Sequence, residues 1–306
     1  MQYHTLLLLS GGACLCATLR AQDGSNREFV TGTFAGTQVV NSSSVEVIPR
    51  KRSFGFMIQH RFGAFGPDGS AWKQFLGLDL PANIRFAFQY APIKIAHLEV
   101  GRSKNGKVWD LGAKVRVLRQ TVGNEMPLSL TLLANAAWMD DELPTTGDRY
   151  FLADGTTPYV QRYEHRLSYT AQAIVARKFT SRLSAQVATV FIHRNLVPVG
   201  HPNQQVVIPI AVRAKLTPKG SVLFEVAPSA YGRPPGQELV PWALAYELAT
   251  QGHVFQVILC TGQEIIDQRS YATASSRYDE GYMHLGFNIS RVLFVKPKQR
   301  HARSER

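Results

Sequence analysis

A strict alternation of apolar and polar residues recurs along this chain and limits its fold more than any other feature. In the stretch Tyr282–Phe294, apolar side chains occupy every second position from Met283 to Ile289. Polar or small side chains, from His284 to Ser290, occupy the positions between them. A period of two residues is typical of a β-strand with one apolar face. Since this is the last patterned stretch, a closed barrel requires it to pair with the first strand.

The same alternation predicts twelve strands, with ten and fourteen as the outer bounds, and helical periodicity is absent. The second strand is the cleanest, with Phe86 and Phe88 on one face and Arg85 on the other. A three-residue turn at 91–93 would place Arg85 opposite Glu99 in the third strand. The seventh strand is ambiguous, because both of its faces are apolar near its middle. The predicted strands are Ser53–Phe62, Asn83–Tyr90, Lys94–Arg102, Lys107–Gln120, Leu128–Met139, Glu164–Lys178, Leu183–Asn195, Gln205–Leu216, Ser221–Tyr231, Val240–Ala249, His253–Thr261 and Tyr282–Phe294.

Connection lengths indicate which ends of these strands lie together. Starting from the first strand, one set of alternate connections is long, apart from the short connection at 103–106. The other set is short throughout. Long external loops alternating with short periplasmic turns are typical of outer-membrane barrels. The long connections are 63–80, 140–163, 196–204, 232–239 and 262–281, and the short ones are 91–93, 121–127, 179–182, 217–220 and 250–252.

Two further observations favour a single antiparallel transmembrane β-barrel. The mean hydropathy is only −0.11, and no run reaches the ~18 apolar residues of a spanning helix. A barrel tolerates this polarity because its lumen residues are polar. Trp109, Trp138, Tyr169 and Trp242 all fall on the apolar face at the long-loop end of their strands. Trp and Tyr prefer the headgroup level of a membrane, so these residues predict an aromatic girdle.

The segments on either side of the predicted barrel, 51–294, have different compositions. Residues 1–21 resemble a secretory signal peptide, with an apolar core that ends at Leu19-Arg20-Ala21. Residues 22–50 are polar and rich in small side chains, which predicts an extra strand or a plug at or in the lumen. Residues 295–306 form a basic, solvated periplasmic tail. Of the three cysteines, only Cys260 lies beyond the signal peptide, where we expect it to be an apolar filler.

An ordered set of short motifs resembles an uncharacterised β-barrel family, a domain of unknown function found mainly in Bacteroidetes. The resemblance extends from about Phe34 to Phe294. It implies an outer-membrane β-barrel and no established activity, so function has to be argued from individual sites. The motifs include Ser44-Val45-Glu46, Ile58-Gln59-His60-Arg61-Phe62-Gly63, Gly101-Arg102, Ala176-Arg177-Lys178-Phe179, His193-Arg194-Asn195, Gly252-His253-Val254-Phe255-Gln256 and Gly286-Phe287-Asn288-Ile289-Ser290-Arg291.

The polar faces of the strands predict a basic lumen with nine bases and four acids. Unpaired bases would favour anionic small solutes, whereas bases paired with acids would only fill the interior. Twelve strands leave a narrow passage or one ligand pocket. The bases are Arg61, Arg85, Lys114, Arg116, Arg166, Lys178, Arg194, Arg213 and Lys215, and the acids are Glu99, Asp110, Glu225 and Glu247.

Three functions follow as hypotheses. The first is a narrow, porin-like channel in the outer membrane of a Gram-negative bacterium, with lipids and small anions as partners and no nucleic acid. The second is a lipid-modifying or lipid-hydrolysing barrel enzyme that uses His60 or His193 as a base, although no serine can be placed beside either. The third is a structural or partner-binding barrel. The sequence predicts no cofactor and no metal site, since no set of ligands converges, and it does not specify the oligomeric state.

Overall fold

The computed structural model describes residues 27–143, 151–152, 154–271 and 276–294. The predicted signal peptide and basic tail lie outside these residues. No helix in the described ranges is long and apolar enough to cross a membrane. The helices are short, at Ser70–Lys73 (α1) and Asp267–Ser270 (α2), with 3-10 turns at Asn105–Lys107, Tyr163–Arg166 and Tyr278–Glu280.

The described residues form fourteen strand segments, all in one antiparallel sheet. The first pairs with the last, Ser53 facing Phe294, which confirms the predicted seam. The segments are β1 (Ser53–Phe65), β2 (Asn83–Ile93), β3 (Ala96–Ser103), β4 (Val108–Leu118), β5 (Ser129–Met139), β6 (Leu167–Lys178), β7 (Leu183–Arg194), β8 (Gln204–Val207), β9 (Ile210–Lys215), β10 (Gly220–Val226), β11 (Ser229–Tyr231), β12 (Trp242–Ala249), β13 (His253–Cys260) and β14 (Met283–Phe294).

Fourteen segments make twelve wall strands, because two of the strands are interrupted by proline. β8 and β9 both pair with β7 and form one strand broken at Pro209. β10 and β11 form the next strand, broken at Pro228. Proline has no N–H for the ladder, but its carbonyl still accepts, as Pro209 O does from Ala188 N at 2.9 Å. The predicted all-β, twelve-stranded barrel is therefore confirmed.

The two faces of the wall are inverted relative to a soluble protein. Large apolar side chains point outward, and Phe86 and Phe88 have exposed fractions of 42% and 59%. Polar and charged side chains point inward, and Gln59 and Arg61 are almost wholly buried. A sheet with an apolar outer surface and a polar interior matches the alternation of the sequence.

Two local details of the predicted wall are wrong. The turn between β2 and β3 lies at 94–95, so Gln89 rather than Arg85 faces Glu99. This shift of the register is by an even number of residues, so every side chain keeps its predicted face. Arg166 lies in the 3-10 turn before β6, not within a strand.

Candidate functional site in the barrel lumen

The lumen is occupied by a hairpin formed by residues 29–50, which we call the N-terminal hairpin. It starts at the short-turn end, where Phe29 bridges to Thr121. Its two arms meet where Gln38 bridges to Ser43, and it returns to the same end before β1 begins. Val39, Val40 and Ile48 are completely buried. Of the two structures predicted for this segment, the lumen plug is therefore the one observed.

The tip of the N-terminal hairpin binds a carboxylate of the wall. Glu225, on β10, accepts hydrogen bonds from the backbone N–H groups of Val40, Asn41 and Ser42 at 3.3, 2.7 and 3.2 Å. The hydroxyl of Ser42 donates a fourth, at 2.8 Å. Successive backbone N–H groups around one anion form a nest. The tip is thus fixed by charge-assisted hydrogen bonds.

A cation on another wall strand holds the same tip. Arg61, on β1, donates from Nη2 to Asn41 Oδ1 at 2.9 Å and from Nη1 to Asn288 Oδ1 at 3.0 Å. Gly286 makes room for this side chain, because a Cβ there would lie 2.8 Å from Arg61 Cδ. Arg61 was predicted to line the lumen. Its side chain does point inward, but it binds the N-terminal hairpin and does not line an open passage.

The arms of the N-terminal hairpin are bound by other wall strands. Lys114 Nζ donates to Thr37 O at 2.9 Å, and Thr131 Oγ1 donates to Val45 O at 2.6 Å. Gln256 Nε2 donates to Val39 O at 2.6 Å. These polar side chains satisfy backbone carbonyls that burial would otherwise leave unpaired. The hairpin therefore has wall contacts around the lumen.

One side of the lumen is apolar where it meets the hairpin. Val39, Val40 and Val45 belong to one buried cluster with inward side chains of the wall, among them Val190 and Ile192. This explains why β7 is apolar on both faces: its outer face is exposed and its inner face packs on the hairpin.

The lumen is also entered from the long-loop end, by residues 261–271 with α2, which we call the inner loop. Gln268 is buried and donates to Asn135 Oδ1 at 2.7 Å, and Asp267 accepts from Gln172 Nε2 at 2.5 Å. Burial raises the pKa of Asp267 to about 7, with a smaller upward contribution from the carboxylates of Glu99 and Asp110. The entry of this loop into the lumen has no signal in the sequence, because its lumen-facing residues show no periodic pattern.

A charged cluster lies where the N-terminal hairpin and the inner loop approach each other. Arg85 donates from Nη2 to Asp110 Oδ1 and to Glu99 Oε1, each at 2.6 Å. Its Nη1 donates to Gln59 Oε1 at 2.9 Å. Gly101 is required beside it, since a Cβ there would lie 2.5 Å from Arg85 Nη2. The predicted pairing of Arg85 with Glu99 therefore forms, diagonally rather than across one register position.

The other predicted lumen charges divide into paired and unpaired groups. Arg213 and Glu247 form a buried ion pair at 2.8 Å. Arg116 is buried near the short-turn end, and its Nη2 donates to the backbone carbonyl of Lys94 at 3.4 Å. The free space in the central cluster is about 40 Å³, enough for a few water molecules. The middle of the lumen is therefore closed to solutes in this conformation.

Arg166 and Arg194 lie at the long-loop end, around a cavity that we call the mouth cavity. Its volume is about 270 Å³, and Arg269 and Glu264 of the inner loop also line it. Arg166 Nη1 donates to the backbone carbonyls of Met139 and Asp141. Nε and Nη2 of Arg194 are buried without a hydrogen-bond partner in the described structure. The charged lining is three arginines and one glutamate.

A second cavity, the vestibule, opens at the short-turn end between the N-terminal hairpin and the wall. Its volume is about 380 Å³. Arg116, Arg119 and Arg291 line it together with Glu46 and apolar side chains such as Phe34. Both ends of the lumen therefore carry more basic than acidic side chains.

The four girdle residues all lie on the outer face at the long-loop end. Trp109 on β4 is directly opposite Trp138 on β5. The guanidinium of Arg102 lies 5.2 Å from the ring centroid of Trp109. Tyr169 and Trp242 occupy equivalent places at the start of β6 and β12. Their role at a lipid headgroup region stays a prediction.

His60 and His193 lie on the outer face and show no catalytic neighbours. The ring of His60 stacks on Phe287, with 5.0 Å between centroids. The ring of His193 stacks on Tyr169 at 6.4 Å. In the described part of the chain, neither ring makes a hydrogen bond to a serine or a carboxylate. Among those same residues, no group of three His, Cys, Asp or Glu side chains could hold a metal ion.

These features define a class of protein: a membrane β-barrel whose lumen is occupied by its own N-terminal hairpin. The chain belongs to the family described as membrane bound beta barrel domain (DUF5777), whose model matches residues 34–293. This confirms the resemblance found in the sequence. No protein of curated function matches the chain.

Several solved structures are similar to this chain at low identity. The KdgM porin has 5% identity and a TM-score of 0.44, with 77% of this chain and 98% of that chain covered. The outer membrane phospholipase A from Escherichia coli has 7% identity and a TM-score of 0.40, covering 84% and 98%. The Ralstonia pickettii toluene transporter TbuX has 9% identity and a TM-score of 0.38, covering 89% and 96%. Likenesses this weak carry no functional argument.

Proposed function

We propose that this protein is an outer-membrane barrel of a Gram-negative bacterium that forms a narrow channel for small anionic solutes. The N-terminal hairpin closes the channel at rest, and solutes pass when the hairpin tip leaves Glu225 and Arg61. Outer-membrane lipids are the partners of the apolar outer surface, with the aromatic girdle at the headgroup level.

One observation carries the proposal: the charge of the lumen is nearly balanced in the middle and basic at both ends. The middle contains four bases, Arg61, Arg85, Lys114 and Arg213, and the four acids Glu99, Asp110, Glu225 and Glu247. A fifth carboxyl group, Asp267, also lines the centre, and burial raises its pKa to about 7. Each end has three arginines and one glutamate, a net charge of +2. Basic entrances raise the local concentration of anions and exclude cations.

The ionic selectivity of the purified full chain in planar bilayers tests this proposal. In a potassium chloride gradient we expect a reversal potential of the sign that indicates chloride selectivity. Glu225→Gln removes the charge that binds the hairpin tip, so it should increase the open fraction. Glu28→Gln, at an exposed position near the base of the hairpin, is the matched control and should have no effect.

Two outcomes would overturn the proposal. The first is cation selectivity in the open state. The second is the absence of ion steps from folded Glu225→Gln protein. Reversing Arg116 and Arg194 to glutamate should shift the selectivity toward potassium, because these two residues lie at opposite entrances.

A further inference from the structure

The mouth cavity combines unpaired cations with an apolar wall. The channel proposal depends on the charge of this cavity but not on its apolar wall. The carboxylate of Glu264 accepts a hydrogen bond from Arg269 Nη2 at 2.9 Å, so these two charges compensate each other. Arg166 donates to backbone carbonyls, and Nε and Nη2 of Arg194 have no hydrogen-bond partner among the described residues. Two guanidinium groups therefore remain without a carboxylate in the described structure.

Guanidinium groups have a specific preference among anions. Their planar forks bind carboxylate or phosphate oxygens through paired hydrogen bonds. A partly buried arginine without a counter-ion is electrostatically unfavourable, and an anion in the cavity would remove this cost. The charged side of the mouth cavity therefore fits one small anionic group.

The remaining lining is apolar. Val108, Met139 and Ile266 belong to a hydrophobic cluster beside the cavity, and Leu167 and Leu196 line it from β6 and from the end of β7. A bare inorganic anion would leave these side chains in contact with water. An anion that carries an apolar body would cover them.

We infer that the mouth cavity binds a small organic anion with an apolar body, with Arg194 and Arg166 holding the anionic group. The inference rests on the proposed function in one respect only, which is that this ligand is the solute that the channel admits.

Binding of phenylacetate to the purified full chain in lipid nanodiscs, followed by calorimetry, tests the inference. The neutral isostere phenylacetamide, acetate and inorganic phosphate are the comparison probes. We expect phenylacetate to bind at least tenfold more tightly than each of them. Arg194→Gln should weaken phenylacetate at least tenfold, and Arg177→Gln, on the outer face at the opposite end of β6, should not change it.

The apolar wall is tested separately by Leu196→Ala, which should weaken phenylacetate more than acetate. Equal affinity for phenylacetamide, tighter binding of phosphate, or unchanged affinity in Arg194→Gln would each overturn the inference. Native mobility of the unheated barrel on a gel confirms that each variant is folded. If anion-selective conduction persists without phenylacetate binding, only this inference fails and the channel proposal stands.

Discussion

At the scale of single residues, the buried charges of the lumen are tolerated because they are paired. Arg85 contacts two carboxylates and one amide, all of them away from bulk water. Isolated charges in such a place are strongly unfavourable, but hydrogen-bonded ion pairs are tolerated. The cluster therefore stabilises the closed lumen while keeping the interior polar.

Arg85→Met should destabilise the barrel, because it leaves Glu99 and Asp110 buried without their cation. Removing one partner of a buried ion pair costs about 3–5 kcal/mol. Urea unfolding in lipid vesicles, followed by tryptophan fluorescence, measures the change. Arg277→Met is the control, since the ion pairs of Arg277 are exposed, and it should give no measurable change. Equal stability of wild type and Arg85→Met would show that Arg85 does not compensate the buried charges of Glu99 and Asp110.

At this scale the sequence predicted side-chain facing better than side-chain partners. Arg85, Lys114 and Glu225 are inward as expected, because facing depends only on the parity of the strand. The partners depend on register and on distant segments. Glu225 binds a tip that is 183 to 185 positions away along the chain, and no local pattern in either segment indicates that contact.

At the scale of elements, the inner loop contains a carboxyl group whose protonation changes near neutral pH. Burial raises the pKa of Asp267 to about 7, well above its ordinary value of 3.8. A carboxyl group with a raised pKa binds more protons in the docked loop than in the undocked one. Docking is therefore most favourable at low pH and weakens as the pH rises from about 4 to about 7.

The inner loop should consequently open more readily at pH 8 than at pH 5.5, by roughly 2 kcal/mol. Hydrogen exchange of residues 262–271 measures this, with Asp267→Asn as the reference at each pH to remove the intrinsic pH dependence of exchange. The asparagine variant should behave like the low-pH wild type and lose the dependence. Identical pH dependence in wild type and Asp267→Asn would show that another group is responsible.

The facing of β2 provides a second prediction at this scale. The Phe86 side chain is directed outward between apolar neighbours, so a cysteine there should be shielded by lipid. In intact outer membranes, Phe86→Cys should not react with a membrane-impermeant maleimide. Trp72→Cys is the control, because Trp72 lies on α1 in a long loop and has an exposed fraction of 83%. Rapid labelling at position 86 would mean that this face of β2 is directed toward water and not toward lipid.

The ambiguous strand Leu183–Arg194 shows why elements were easier to predict than their packing. Its length and alternation were sufficient to identify β7. Its second apolar face is explained only by the valines of the N-terminal hairpin, which are more than 130 residues earlier in the chain. The short turn at 94–95 was misplaced for a related reason, since Pro92 ended the predicted strand but the observed strand continues through Ile93.

For the whole molecule, the central claim is that one barrel contains its own removable closure. The wall is continuous, from the β1–β14 seam to the contacts of β7 with β8 and β9. The N-terminal hairpin is joined to it by hydrogen bonds around its tip and arms and by one apolar contact with the wall. A structure of this kind can open without unfolding the wall, because the hairpin is not itself a wall strand.

A disulfide that ties the hairpin to the wall tests this claim most directly. A Cβ built on Gly36 lies 3.5 Å from Ser290 Oγ on β14, close enough for a disulfide between cysteines at these positions. Cys260 is buried and should not compete. Each single cysteine variant is the control for the pair Gly36→Cys with Ser290→Cys.

The measurement is planar-bilayer conductance of this pair in the Glu225→Gln background, before and after reduction. We expect little or no conductance when the pair is oxidised and restored conductance after reduction. The single-cysteine variants should conduct equally under both conditions. Equal conductance of the oxidised and reduced pair, with the disulfide verified by mass spectrometry, would contradict closure by the N-terminal hairpin.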